Sequence, residues 1–278
     1  MAQRPIALIT GACGGMGQAC ARLLGRTYDL ALSDIDLGKV EALATALRLE
    51  GHIVVAIHGG DYAQPGVAKA AVMAAKQAGT LAVLVHTAGL SPIQASWDRI
   101  LTTNAVATEE LLLSIEEDRA GPLNAVLIAS IAGHTAAPDE ALDALLDAPL
   151  RDDLLAVAEP LLRASSADST YPLALGMAAY AYSKRAVLRS AERRAKRWGQ
   201  DGSRIVTISP GVTRTPMGVA EMDGNDVARA TAEGAPLGVA SPLAIANAVE
   251  FLLSPLASSI TGTDLRIDGG LMPALRFP

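Results

Sequence analysis

The chain has 278 residues, half of them hydrophobic and only 3% aromatic, so it can build a large core but must build it from aliphatic side chains. A formal net charge of −6 argues against a nucleic-acid partner, which would want a basic face. Two cysteines, Cys13 and Cys20, are too few for a disulfide framework and suit a reducing, cytoplasmic setting.

The first predicted element is a short apolar strand over 6–9. With Arg4 before it, this stretch is too short for the apolar core of a signal peptide. No run approaches the roughly 20 apolar residues of a bilayer span, so a soluble protein without a membrane partner is expected. Thr10-Gly11-Ala12-Cys13-Gly14-Gly15-Met16-Gly17 then leads into a helix over 16–26. Gly11, Gly15 and Gly17 allow a tight turn and close approach of the backbone to a pyrophosphate, at which the helix aims its N-terminus. Without its strand and helix the trio would describe an ordinary turn; the flanks are what a nucleotide site requires. Cys13 reads as a small filler in that turn, with a reactive thiol as the alternative.

A second strand covers 30–32, and Asp34 closes it 17 positions after Gly17. A carboxylate there accepts hydrogen bonds from an adenosine 2′-hydroxyl and repels a 2′-phosphate, unless it or Asp36 only caps the next helix. No basic residue stands at Cys13 or Gly14 to attract a 2′-phosphate. Both points favour NAD over NADP.

Helices over 37–49 and 66–78 alternate with strands over 53–57 and 81–86. A long helix over 97–118 precedes a strand over 125–129. A helix over 178–198, a strand over 204–208, a helix over 242–253 and a strand over 264–267 complete the series. Ser96 and Ser241 suit N-caps, and Pro242 suits the first helical position. The strands are almost continuously apolar, as strands buried on both faces are. The alternation predicts an α/β fold, a Rossmann-type doubly wound parallel sheet of about seven strands. Two regions break the rhythm. Residues 138–169 hold two apolar-periodic segments, 140–146 and 151–163, and read as an inserted helical hairpin. Residues 212–238, rich in Gly, Ala and Met, read as a mobile substrate lobe. No boundary between independent domains is evident, so 1–278 is taken as a single nucleotide-binding domain.

Tyr180 and Lys184 are four positions apart, which sets a phenol and an ammonium on one face of a helix. Tyr182 is two positions from Lys184 and faces elsewhere. With the glycine turn, this pair points to a nicotinamide cofactor and tyrosine acid/base chemistry. The histidines His52, His58, His86 and His134 lack ligand spacing, so no metal is expected.

Taken together, these motifs resemble the short-chain dehydrogenase/reductase family over almost the whole chain. Thr10 to Gly17 matches its TGxxxGxG. Asp61 follows the third strand, where the family keeps an acidic residue near the adenine. His86-Thr87-Ala88-Gly89 stands in place of Asn-Asn-Ala-Gly, with the bulkier His86 as a departure. Asn104, Ser130 and the Tyr180–Lys184 pair match the family's asparagine, serine and YxxxK. Pro210-Gly211, with Thr213 and Thr215, matches its PG motif.

The resemblance implies that Tyr180 exchanges a proton with the substrate oxygen and that Ser130 stabilises that oxygen. Lys184 lowers the phenol's pKa and holds the nicotinamide ribose, while Asn104 supports a proton path. It also implies cofactor contacts from Met16, Tyr62, Thr87, Ala88, Gly89, Pro210, Gly211, Val212, Thr213 and Thr215. His134 reads as a loop histidine rather than a base.

Ser130 and Tyr180 are 50 positions apart, much farther than in most members. In this the chain looks like the bacterial 3α-hydroxysteroid dehydrogenase/carbonyl reductase group, which carries a helical insertion before its tyrosine. Such a hairpin should obstruct the family's usual tetramer packing, so a homodimer is expected, with a tetramer as the alternative. Met217 and Met222, with Leu90, Ile131 and Leu173, are the candidate pocket walls, and they suit a small lipophilic alcohol or ketone. A 3-oxoacyl-carrier-protein reductase is the alternative enzyme, disfavoured by Asp34 and by the insertion. An idle nucleotide-binding scaffold is the alternative from another class, and the presence of both Tyr180 and Lys184 counts against it.

Overall fold

A computed structural model describes residues 4–117, 119, 121–167 and 169–277. Asp118, at the end of one expected helix, and Asp168, inside the expected insertion, lie outside the described residues, as do residues 1–3, 120 and 278. In chain order the first half holds β1 (Ile6–Thr10), α1 (Gly15–Leu24), β2 (Asp29–Asp34), α2 (Leu37–Leu49), β3 (Val54–Gly59), α3 (Val67–Ala78), β4 (Leu81–His86), α4 (Trp97–Leu101), a π-helical turn (Thr102–Val106), α5 (Ala107–Glu116) and β5 (Asn124–Ile128). The second half holds α6 (Ala132–Thr135), α7 (Glu140–Asp147), α8 (Leu154–Ser165), α9 (Ala174–Gly199), β6 (Arg204–Pro210), α10 (Pro216–Gly224), α11 (Asp226–Glu233), α12 (Pro242–Leu253), a 3-10 turn (Pro255–Ala257), β7 (Asp264–Ile267) and α13 (Leu271–Arg276).

The seven strands are parallel, in the order β3-β2-β1-β4-β5-β6-β7. This is the doubly wound sheet that the apolar strands predicted. On one face α1, α2 and α12 bury Cys20, Leu24, Val40, Leu47, Ile245 and Val249. On the other, α3, α5 and α9 bury Val72, Leu111, Leu112, Val187 and Trp198. Strand order reverses between β1 and β4, which opens a crevice at their carboxyl ends. The glycine turn after β1 and residues 87–89 after β4 both lie there.

Two local expectations need correction. The helix expected over 97–118 is broken by the π-helical turn at Thr102–Val106. One extra residue in a turn barely disturbs an apolar pattern of this length, so periodicity does not show it. Ser96 occupies the N-cap position of α4, but its side chain makes no capping bond to the backbone; it engages Asp98 instead. Ser241, in contrast, accepts a hydrogen bond from the Ala244 N–H, with Pro242 opening the helix.

The inserted hairpin is α7 and α8. Asp139 caps α7 by accepting from Ala141 and Leu142 N–H. Leu142, Leu145, Leu154 and Leu162 pack with Ile100, Leu101, Tyr182 and Ala186 in a third apolar cluster. The polar edge of α7 is clamped to α9, where Arg185 grips Asp143 through two bonds of 2.7 Å. One turn on, Arg189 grips Asp147 at 2.8 and 2.5 Å. The segment expected as a lobe holds α10, capped by Thr215, and α11, capped by Asn225.

Candidate active site

The glycine turn leaves β1 through Gly11 at φ 64°, where a Cβ would stand 2.6 Å from the Ala88 amide nitrogen. Only glycine satisfies both the left-handed backbone and that approach. Thr87 Oγ1 donates to the carbonyls of Thr10 (2.8 Å) and Gly11 (3.1 Å), so the end of β4 braces the turn. Gly17 lies beneath the turn against Gly11 and Ala12, where it lets α1 pack close rather than facing the cleft.

The N-terminus of α1 has no capping side chain and no acidic residue in its first turn. It opens on a cavity of about 410 Å³ lined by Cys13, Gly15, Met16, Asp34, Asp61 and Tyr62, with Ala88 and Gly89 opposite. Asp34 Oδ2 accepts from Cys13 N–H and Oδ1 from Ile35 N–H, each at 2.8 Å, so its carboxylate is fixed beside the turn. The cap of α2 is Asp36, which accepts from Lys39 N–H. Burial, with the charges of Asp34 and Asp36, pushes the Cys13 thiol up to about 11, which keeps it protonated and favours the filler reading.

Burial works against ionisation of Asp61. Bonds from Arg99 (2.8 Å) and the Ala63 N–H outweigh it and hold the carboxyl below its usual range. Tyr62 donates to Ser33 Oγ at 2.9 Å. Uncapped amides suit a phosphate and fixed carboxylates suit ribose hydroxyls, so this cleft fits a dinucleotide.

A smaller cavity of about 70 Å³ shares Met16, Thr87, Gly89, Leu90, Thr215 and Met217 with the first. Its other walls include Ser130, Tyr180, Lys184, Pro210, Gly211 and Thr213. Lys184 Nζ donates to the Ile128 carbonyl at 3.0 Å and lies 5.8 Å from the centre of the Tyr180 ring. Burial lowers the Lys184 ammonium to about 8, partly offset by the Glu221 carboxylate. Burial and Glu221 raise the Tyr180 phenol, while the Ser130 hydroxyl favours its ionised form. With these groups alone the phenol stays protonated at neutral pH, and further positive charge is needed to ionise it.

Asn104 does not reach either cavity. Held by the π-helical turn, it accepts from Leu90 N–H (2.8 Å) and donates to the Leu90 carbonyl (3.0 Å) and to Ser183 Oγ (3.1 Å). It therefore ties the strip after β4 to α9. His86 is fully buried, and burial depresses its imidazole to about 3. Its Nδ1 lies 2.6 Å from Thr10 Oγ1 and its Nε2 lies 2.9 Å from Thr108 Oγ1. Thr108 itself donates to the Asn104 carbonyl at 2.7 Å. We assign the Nε2–H tautomer, which donates to Thr108 and accepts from Thr10. His134 lies outside these cavities and bonds Asp264 at 2.8 Å.

Besides Gly17 and Asn104, four sequence candidates do not line these cavities. Val212 sits at a bend between Gly211 and Thr213, which line the small cavity while it does not. Met222 follows Glu221 on α10 and is rotated off the face that carries Met217 and Glu221. Leu173 precedes Tyr180 by two helical turns, about 10 Å along the axis. Ile131 is buried where its N–H bonds the Pro210 carbonyl. The lining residues that were missed include Lys39 on α2, Arg99 on α4 and Glu221 on α10. The only signal for Glu221 is a lone acid in an otherwise apolar stretch, Pro216 to Met222.

Residues 5–141 match the family described as short chain dehydrogenase, and residues 162–272 match the one described as Enoyl-(Acyl carrier protein) reductase. The chain is 29% identical over 276 residues to the short-chain dehydrogenase/reductase bsc3 of Alternaria brassicicola, covering 96% of both. It is 38% identical over 103 residues to the 3-alpha-hydroxysteroid dehydrogenase/carbonyl reductase of Comamonas testosteroni, covering 36% of this chain and 40% of that one. Among solved structures, the 3-alpha-hydroxysteroid dehydrogenase from Pseudomonas sp. B-0831 complexed with NADH superposes with a TM-score of 0.77. It is 28% identical, and the match covers 98% of both chains.

Proposed function

Because the chain belongs to the short-chain dehydrogenase/reductase family, oxidoreductases that use a nicotinamide cofactor, we propose that it is an NAD-dependent enzyme interconverting a lipophilic secondary alcohol and its ketone. The observation that carries this reading is the meeting of Ser130, Tyr180 and Lys184 in one small cavity that shares its walls with the nucleotide cleft. A nicotinamide cofactor bound in the cleft would supply the hydride chemistry.

The chain's residues do the rest. Tyr180 takes the hydroxyl proton in oxidation and returns it in reduction. Ser130 donates a hydrogen bond to the same oxygen. Lys184, anchored on the Ile128 carbonyl, brings positive charge to the phenolate. The α1 N-terminus and Asp34 hold the nucleotide. The fixed Asp34 carboxylate supports NAD over NADP, and it agrees with the NADH in the 28% identical Pseudomonas structure.

A hydroxysteroid or xenobiotic carbonyl is the leading substrate class, supported by the apolar walls at Leu90 and Met217 and by the names of those two relatives. The test follows NADH or NADPH formation over a panel of lipophilic secondary alcohols that includes hydroxysteroids. Turnover with NAD is expected. Turnover with NADP alone overturns the cofactor assignment, and NADH binding without any turnover overturns the substrate class.

A further inference from the structure

The carboxylate of Glu221 has no part in the chemistry above, yet it stands in the same cavity as Ser130, Tyr180 and Lys184. It is presented by α10, whose Met217, Gly218 and Glu221 all line that cavity. Its charge acts on both Tyr180 and Lys184. Beside it the buried Ser91 hydroxyl favours the ionised form of Glu221 and makes no other hydrogen bond among the described residues. A carboxylate that lines the cavity with one hydroxyl beside it keeps acceptor positions open to a donor on a ligand. The Lys184 ammonium in the same cavity disfavours a cationic ligand, so a neutral donor is the better match. A hydroxyl is the simplest neutral group that can donate to Glu221.

We propose that Glu221 makes this cavity selective for a secondary alcohol that carries a second hydroxyl beside the reacting carbon, and for the matching hydroxy ketone in reverse. The proposal rests on the alcohol/ketone reading above and narrows its substrate class. The second hydroxyl takes no part in the redox balance. The reacting carbinol loses its C–H as hydride to the nicotinamide cofactor and its O–H proton to Tyr180, while the neighbouring hydroxyl keeps its atoms and donates to Glu221.

The probes are cyclohexanol and the cis and trans forms of 1,2-cyclohexanediol, each assayed with saturating NAD. The proteins are the natural chain, Glu221→Ala and Glu221→Gln, with NADH binding measured by fluorescence for each. The natural chain should prefer one diol over cyclohexanol by about tenfold or more in kcat/KM, the worth of a hydrogen bond to a charged group. Glu221→Ala should bring that ratio to about one, mainly through a higher KM for the diol. Glu221→Gln, which keeps an acceptor without the charge, should give an intermediate ratio. If Glu221→Ala fails to bind NADH, the Gln variant decides.

A natural chain with no preference for either diol overturns the proposal, as does an unchanged ratio in the variants, and both leave the alcohol reading standing. Turnover of none of the three probes by a chain that binds NADH overturns the alcohol reading and the proposal together.

Discussion

At Tyr180 three influences compete for one proton: burial and Glu221 raise the phenol, and Ser130 opposes them. Alcohol oxidation needs the phenolate and ketone reduction needs the phenol. Oxidation should therefore speed up as pH rises and reduction should slow, which initial rates in both directions would check. Tyr180→Phe removes the proton carrier while keeping the ring, so turnover should fall by about 10²–10⁴-fold with NADH affinity nearly unchanged. Unchanged turnover would remove Tyr180 from the proposed mechanism. His86 allows a test at the same scale. Its folded pKa of about 3 lies below the ordinary 6.5, so the unfolded chain binds more protons between those values. Stability from this group is complete above about 6.5 and is lost as pH falls below it, by up to about 1.4 kcal/mol per pH unit. His58, also lowered by burial, acts in the same direction. Denaturation midpoints at pH 7 and pH 5 should differ less in His86→Asn than in the natural chain.

Among the elements, the inserted hairpin and the broken helix α4–α5 are the most distinctive. The hairpin is held by leucines in the third apolar cluster and by the arginine–aspartate clamp along α7 and α9. Arg185 and Asp143 are both largely sheltered and bidentate, a geometry in which an ion pair retains measurable strength. A double-mutant cycle with Arg185→Ala and Asp143→Ala should give a coupling of about 1 kcal/mol in chemical denaturation. A coupling near zero would mean that the leucines alone hold the hairpin. The π-helical turn has a different consequence. It sets Asn104 to bridge Leu90 and Ser183, so the strip lining the small cavity and the helix carrying Tyr180 are braced by one side chain. The apolar period over 97–118 pointed to helix, which the described residues show as far as Glu116, but could not show this turn, because one looped-out residue leaves the pattern nearly intact.

For the whole molecule, the hairpin lies against α9, the helix that carries Tyr180 and Lys184. We propose that this obstructs the family's usual tetramer packing and leaves a homodimer. Sedimentation equilibrium should return the mass of two chains, and a mass of four would sink the idea. No helix among the described residues is long and apolar enough to cross a membrane. Much of this architecture was legible in the chain itself. Apolar strands alternating with helical patterns determined the parallel sheet, because a strand buried on both faces has no other place. The glycines of the turn and the four-residue spacing of Tyr180 and Lys184 were legible because backbone freedom and helical periodicity are local properties. Which side chains line the small cavity was decided only by the tertiary structure. Glu221 lines that cavity while Val212 and Met222 do not, and that depends on where the chain after β6 places α10, which no local pattern encodes.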